Sequence, residues 1–516
     1  MKKKFRITVS TIIFLVVAIL IYNGISAICR RSTWPPVVHR ESGYYTYSKL
    51  NNLTSYPIDI AAFGSSLCAC SFAALELYEQ YGMSAYNIGG SWQPVMVSYF
   101  LLQKLLETEK PKVVLLEANN LFVPWHEDTY RLGLDGLPIS KIKIEAIKEH
   151  CKDEDAESQL SYILNLCKYH FAWKNLKEYG FHLTDPKKEQ EIHQGYRIRN
   201  TVYTPPDEYV NFQGWTDTGT EREKYDNEGY TYICKFIELC QRNGIDIILY
   251  QDYVTNTTKW RDWNPERHNA TKDLADFYGI PYIDFNMKDV FSASGCNFST
   301  DLADENHDNL LGAIKVTRYL GEYLHANYDL PDHRGDPTYA DLDKEWVRYQ
   351  REKFNSKFVY ITNLSDYLDH LQNADENYTA IISVRDEAVM KLDDELKNKL
   401  RQLDFESDFS VENAYHKSFI GIWQDGKVIY ENLSKGSDDP ERDILEFKGI
   451  MPDSMKYYVK SAGYKVGNES SIVIDGVQMS KNGRGMNIVI YDIRHGRVID
   501  SIVFDTHKDA GITYKR

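Results

Sequence analysis

Ile58-Asp59-Ile60-Ala61-Ala62-Phe63-Gly64-Ser65-Ser66-Leu67 decides how this sequence is read. Its first six residues form a short apolar run of the kind that fills a buried strand. A glycine and two serines follow, and then an amphipathic stretch, Ser71 to Tyr81, reads as a helix. The serines therefore sit where a strand ends and a helix begins. In sheets of parallel strands, reactive groups collect at that carboxyl edge. A serine there also has backbone N–H groups available to hold an oxyanion. By itself Gly-Ser-Ser-Leu is equally an ordinary helix N-cap.

The same alternation continues outward. Lys112 to Glu117, Asp246 to Tyr250 and Pro281 to Asp284 read as strands. Tyr230 to Asn243, Asn269 to Tyr278 and Leu310 to Ala326 read as helices. Short apolar strands alternating with amphipathic helices predict an α/β fold, a parallel sheet covered on both faces. This domain is placed at residues 31–330. The segment from about 121 to 226 breaks the alternation and reads as an insertion or lid. Residues 331–356, with Pro331, Gly335 and Pro337 and then a charged helix (Lys344 to Phe354), read as a linker.

Beyond it, residues 357–516 are dominated by short alternating runs. Phe358 to Ile361, Thr379 to Val384, Phe419 to Trp423, Lys427 to Tyr430, Ser471 to Ile474, Asn487 to Tyr491 and Val498 to Phe504 all read as strands. Gln424-Asp425-Gly426 and Arg494-His495-Gly496 are hairpin signals. A second domain, α+β or mostly β, is expected here.

Asp304-Glu305-Asn306-His307 lies just before the last helix of the α/β domain. Asp-x-x-His on one turn lets the carboxylate accept from one imidazole nitrogen. The other nitrogen is then free to take a serine proton. A solvated helix start capped by Asp304 is the plain alternative. Ser66 at the first strand with Asp304 and His307 at the last helix is a stronger signal than either part. His170, in the inserted segment, either lines the cleft or is a packed or surface histidine.

At the N-terminus, Ile7 to Ile28 is an almost unbroken apolar run preceded by Lys2, Lys3, Lys4 and Arg6. About 22 residues suffice to span a bilayer core. The flanking cations favour a single pass with the N-terminus inside and the rest outside. An anchor over residues 1–30 is the first reading. A cleavable signal peptide ending near Ser26 and Ala27, or a lipoprotein signal at Cys29, are the alternatives.

The chain has 516 residues, with 60 Lys and Arg against 75 Asp and Glu, a net charge of −15. That balance excludes a nucleic-acid binder, which needs clustered cations. A mean hydropathy of −0.48 excludes a polytopic membrane protein. The 38 Tyr and 9 Trp offer flat amphipathic rings that suit sugar surfaces and β-cores alike. The eight cysteines form no zinc-type pairs and none follows Cys296, a usage that fits a bacterial cell surface. No His-Glu-x-x-His, cysteine cluster or phosphate-cradling glycine loop is present, so no metal or cofactor is expected.

This order of motifs resembles the SGNH (GDSL-like) hydrolase superfamily. Gly64-Ser65-Ser66-Leu67 is similar to its first block, which implies Ser66 as nucleophile, with Ser65 where Asp is common. Asn87-Ile88-Gly89 resembles the second block and implies an oxyanion N–H from Gly89, or from Gly90. Glu117-Ala118-Asn119-Asn120 resembles the third, implying an oxyanion donor in Asn119, although Glu117 and Asn120 replace the usual Gly and Asp. Asp304 and His307 match the last block. Within the superfamily the anchored group resembling DltD and the alginate acetylation proteins has the nearest texture. That likeness extends to Leu137 to Lys143, Tyr169 to Trp173 and Ala303 to Ala313. Ser461 to Gly467, Ser471 to Gly476, Asn482 to Tyr491 and Gly496 to Thr506 resemble the interleukin-like EMT inducer (ILEI/PANDER) domain, a non-catalytic module.

Two functions follow from these resemblances. One is a cell-surface serine esterase or O-acyltransferase. It would act on acyl esters, acetyl foremost, of an extracellular polysaccharide or wall polymer, beside a polytopic membrane-bound O-acyltransferase. The other is a degenerate SGNH-fold scaffold that binds glycan or a partner protein through its C-terminal domain.

Overall fold

Consecutive apolar residues leave a strand no solvent face, and β1 (Ile60–Phe63) is buried at all four positions. In the computed structural model the described residues are 2–31, 56–122, 127–135, 137–152, 156–164, 166–167, 170–175, 193–255, 263–436, 439–507 and 511–516. They divide into two compact units, residues 1–350 and 351–516.

In the first unit β1 is joined by β2 (Ala85–Asn87), β3 (Val113–Glu117), β4 (Asp246–Gln251) and β5 (Tyr282–Asp284). All neighbours are parallel, in the order β2-β1-β3-β4-β5. Period-two alternation sends residues to opposite faces. Ala61, Phe63, Val114, Leu116, Ile247 and Leu249 pack with the helices Val95–Leu105 and Asn227–Arg242. Ile60, Ala62, Val113, Leu115 and Ile248 pack with the helices Ala74–Tyr81 and Leu310–Asn327. Cutting Phe63 back to Ala in such a core costs roughly 3–5 kcal/mol. This is the α/β sheet, helices on both faces, that the sequence predicts.

Two local features differ from that expectation. Strand β2 is only three residues long and carries no apolar run. The helix expected over Ser71 to Tyr81 is two helices, Ser66–Ser71 and Ala74–Tyr81. Side chains hold the break open. Asn87 Nδ2 donates to the Cys68 and Phe72 carbonyls, both at 2.8 Å. Thr317 Oγ1 accepts from the Ala73 N–H (2.8 Å) and donates to the Ser71 carbonyl (3.1 Å). The first of these helices thus starts at Ser66 itself.

The second unit is mostly strand: β6 (Tyr378–Asp386), β7 (Phe419–Gln424), β8 (Lys427–Leu433), β9 (Leu445–Ile450), β10 (Lys456–Gly463), β11 (Glu469–Ile474), β12 (Val477–Gln478), β13 (Gly485–Asp492), β14 (Arg497–Asp505) and β15 (Thr513–Lys515). β6 is antiparallel to β7 and β13 and briefly parallel to β10. The β7–β8 turn holds Asp425 (φ 52°) and Gly426 (φ 83°), the positive pair that a two-residue hairpin requires. Phe358 to Ile361, expected as a strand, instead closes the long helix Ala340–Tyr360. Phe354 and Phe358 fall at i and i+4 of that helix, and with Ile361 just past its end they pack onto one core.

The helix Lys2–Arg31 contains Val9–Ser26, with a mean hydropathy of 2.2, long and apolar enough to cross a membrane.

Candidate active site

The turn after β1 depends on a glycine. Gly64 has φ 152°, and a Cβ there would lie 2.6 Å from Glu117 Cβ and 2.8 Å from Cys68 Cβ. Ser65 then caps the helix, its Oγ accepting from the Leu67 N–H at 3.2 Å. The same hydroxyl donates to Glu117 Oε2 at 3.2 Å, while Glu117 Oε1 accepts from the Asn119 N–H at 2.8 Å. Glu117 is buried. Ser65 and Glu117 thus fit one another. A hydroxyl at position 65 meets a carboxylate at position 117, where two acids would repel.

Ser66 is the first helical residue, and its hydroxyl faces His307. His307 Nε2 and Ser66 Oγ are 2.9 Å apart. His307 Nδ1 is 2.8 and 3.0 Å from the two Asp304 oxygens. A nitrogen facing a carboxylate is the N–H nitrogen, so Nε2 carries the lone pair and accepts from Ser66. Asp304 Oδ1 also accepts the N–H groups of Asn306 (2.9 Å) and His307 (3.0 Å). Arg199 Nη1 donates to Asp304 Oδ2 at 3.0 Å.

Burial pushes the Asp304 carboxyl up, but the His307 hydrogen bond and charge, the Asn306 N–H and Arg199 outweigh it. The group is held well below the usual carboxylate range. Neighbouring acids behave differently. Asp301 is fully buried and ion-paired to Lys315 at 2.7 Å. Asp308 is pushed well above the ordinary range by burial and then by Asp252, and Asp252 likewise by burial and then by Glu117. Asp304 is therefore the carboxylate this loop offers to an imidazole.

The other residues singled out from sequence divide in two. The Ser66 N–H and the Asn119 side-chain amide make no hydrogen bond among the described residues. Asn119 is buried at the carboxyl end of β3. The Gly89 N–H donates to Asn87 Oδ1 (2.9 Å) and the Gly90 N–H to the Gly64 carbonyl (3.1 Å), so both are used in closing the turn. His170 is exposed in a short 3₁₀ turn, one ring nitrogen 3.0 Å from the Cys167 carbonyl oxygen. Arg199 and the structural role of Glu117 went unforeseen. Glu117 stands in the third-block stretch but reads there only as a departure from the pattern, and Arg199 lies in no motif and comes from a stretch without periodicity. Among the described residues no group of three or more His, Cys, Asp or Glu side chains is placed to hold a metal ion.

No protein-family model matches the sequence, and no curated protein matches it. Among solved structures the chain is similar to a protein from Bacteroides fragilis assigned as an acylhydrolase, at 12% identity and a TM-score of 0.25, covering 55% of this chain and 94% of that one. It is also similar to a GDSL-like lipase from Bacteroides thetaiotaomicron, at 10% identity and a TM-score of 0.25, covering 55% and 98%. A protein from Parabacteroides merdae assigned as a GDSL-like lipase gives 12%, a TM-score of 0.21, and 52% and 96% coverage.

Proposed function

We propose that this protein is a cell-surface serine esterase or O-acyltransferase of the SGNH type. One observation carries the reading: the Ser66 hydroxyl, the His307 imidazole and the Asp304 carboxylate are joined by bonds of 2.9 and 2.8 Å at the carboxyl edge of a parallel sheet. Ser66 Oγ attacks the ester carbonyl carbon, and its proton passes to His307 Nε2. The carbonyl oxygen becomes an oxyanion, held by the Ser66 N–H and the Asn119 amide. The Gly89 N–H joins them only by giving up its bond to Asn87. Collapse breaks the carbon–oxygen bond of the leaving alcohol, which takes the proton from His307. An acyl–Ser66 ester remains. Water releases the acid; a glycan hydroxyl in its place completes a transfer.

The substrate in this reading is an acyl, foremost acetyl, ester of an extracellular polysaccharide or wall polymer. Three features support it. The apolar helix Lys2–Arg31 suits a single-pass anchor, with its lysines inside and the folded units outside. Trp92, on the loop after β2, is 46% exposed and sits at φ 51°, a strained backbone for a bulky residue. The exposed part of that indole is an amphipathic surface of the kind on which sugar rings pack. The second unit, in this reading an ILEI-like module, would grip polymer or partner protein. A polytopic membrane-bound O-acyltransferase is the natural acyl donor. The support for the degenerate-scaffold reading is that Glu117 and Asn120 replace the usual Gly and Asp of the third block. Glu117 is engaged in holding Ser65 and Asn119, which favours a working turn.

The test is acyl-ester turnover and polymer acylation with Ser66→Ala. Loss of both is expected. Persistence of both in the variant would sink the enzyme reading and leave the scaffold.

A further inference from the structure

Residues 193–203, in the later part of the inserted segment, are stitched to the helix Ser66–Ser71, to β2 and the loop after it, and to the Leu302–Leu310 loop. The Gln194 carbonyl accepts from the Asn87 N–H at 2.8 Å. Gly195, at φ 79°, lies so close to Asn87 that a Cβ would sit 2.0 Å from its carbonyl oxygen. The Arg197 N–H donates to the Ala69 carbonyl (2.8 Å) and its Nη1 to Ser91 Oγ (3.1 Å). The Arg199 carbonyl accepts from the Leu310 N–H (3.0 Å), Thr201 Oγ1 donates to the Ala303 carbonyl (2.8 Å), and the Tyr203 N–H donates to the Leu302 carbonyl (2.8 Å). A segment bonded at this density along both edges is a fixed wall rather than a lid. It delivers the Arg199 side chain to Asp304.

Asp304 needs that delivery. Its side chain is 39% exposed, and the backbone bonds from its own turn both fall on Oδ1. Arg199 fixes Oδ2. Resting on the esterase reading, we propose that Arg199 is a positioning residue for the reaction. It locks the Asp304 carboxylate against His307 and, as a nearby cation, lowers the pH at which His307 becomes free to accept the Ser66 proton. Among the described residues the charged groups about this pair are Glu305 on the same loop, Arg197 and Arg199 on the 193–203 segment, and Glu117 beyond Ser65. Asp252 and Asp308 lie buried nearby, and Lys315 is engaged with Asp301. Only Arg199 changes in the test.

The probe is a fluorophosphonate, applied to the full chain from pH 4.5 to 9. Ser66 Oγ forms a bond to phosphorus, the phosphorus–fluorine bond breaks, fluoride leaves, and the hydroxyl proton passes to His307. Ser66→Ala is the blank. In Arg199→Gln the plateau rate is expected to fall about 10- to 100-fold. Its acid midpoint should rise by about half a unit to one unit, because the lost cation had disfavoured the imidazolium. Arg199→Lys should recover most of the midpoint but not the plateau, since lysine keeps the charge and loses the planar donor geometry. An unchanged midpoint in Arg199→Gln overturns the proposal, whatever happens to the rate. Should wild-type Ser66 go unlabelled, the esterase reading fails instead. An NMR titration of the His307 imidazole in wild type and Arg199→Gln then still decides the positioning role. The Lys variant covers the case in which Gln impairs folding.

Discussion

Asp304-Glu305-Asn306-His307 in the first unit and Asp492-Ile493-Arg494-His495 in the second are the same turn built twice. In both, the histidine Nδ1 meets the aspartate, at 2.8 Å for His307 and 2.6 Å for His495. In both, the N–H of the residue before the histidine bonds aspartate Oδ1, at 2.9 and 3.0 Å. In both an arginine completes the group, Arg199 at 3.0 Å and Arg351 at 2.8 Å. The difference lies outside the turn. His307 Nε2 reaches a serine hydroxyl, whereas His495 Nε2 meets no partner among the described residues. Asp304 is part-exposed at a sheet edge; Asp492 is fully buried and also bonded by Asn355 Nδ2 at 3.0 Å. Both carboxyls are held well below their usual range despite burial, so a depressed aspartate does not by itself mark chemistry. The third partner does.

The largest effect expected is on turnover. Ser66→Ala or His307→Ala should lower acyl-ester hydrolysis by about 10⁴-fold or more, with little change in unfolding midpoint. His495→Ala should leave hydrolysis at the wild-type rate. Equal losses in the two histidine variants would erase the contrast.

The reverse holds for stability. Asp492→Ala strands the Arg351 guanidinium, whose side chain is only 6% exposed, without its buried counter-charge. Breaking a buried pair costs about 3–5 kcal/mol. Hydrogen exchange of β6 and β13 amides should accelerate accordingly while hydrolysis of a small ester persists. Asp304→Ala should show the opposite signature, with slowed hydrolysis and native-like exchange.

Next in size is the sugar-facing prediction. Trp92→Ala should raise KM for an acylated polymer about tenfold, a change of about 1.4 kcal/mol. KM for a small aryl acetate should stay near wild type. A matched loss on both substrates would make Trp92 a structural residue only.

How much of this was legible in the sequence follows from how local each feature is. β1, the Gly64-Ser65-Ser66 turn and the Asp304–His307 turn are contiguous stretches, and contiguous stretches have patterns. Their meeting across 241 positions was readable because each sits at a strand or helix end of one alternating fold. Strand β2 was not legible, because Ala85–Asn87 is held by pairing with β1 and not by its own composition. Phe358 to Ile361 misled because aromatic and β-branched residues serve the end of a core helix as well as a strand. Arg199 was illegible for a different reason. It contacts Asp304 105 positions away, from a segment shaped by bonds to other loops.

The smallest effect separates the units by pH. Burial raises Glu345, bonded by Gln194 at 2.7 Å, to about 7. Burial lowers His370, whose Nε2 lies 2.9 Å from the Phe354 carbonyl, to about 4. For Glu345 the native state holds its proton longer than the unfolded chain does. Stability is full below the ordinary glutamate value of 4.5 and is lost as pH rises toward 7. For His370 the native state gives up its proton sooner. Stability is full above 6.5 and is lost as pH falls toward 4. The two units should therefore show opposite slopes across the same window. Glu345→Gln should flatten the first unit's slope and gain on the order of 1 kcal/mol at pH 8, after allowance for solvent screening. His370→Gln should flatten the second unit's slope at pH 4–6.5. Unit-resolved hydrogen exchange over pH 4 to 8 measures both. Parallel slopes in the two wild-type units would show that neither buried group governs its unit.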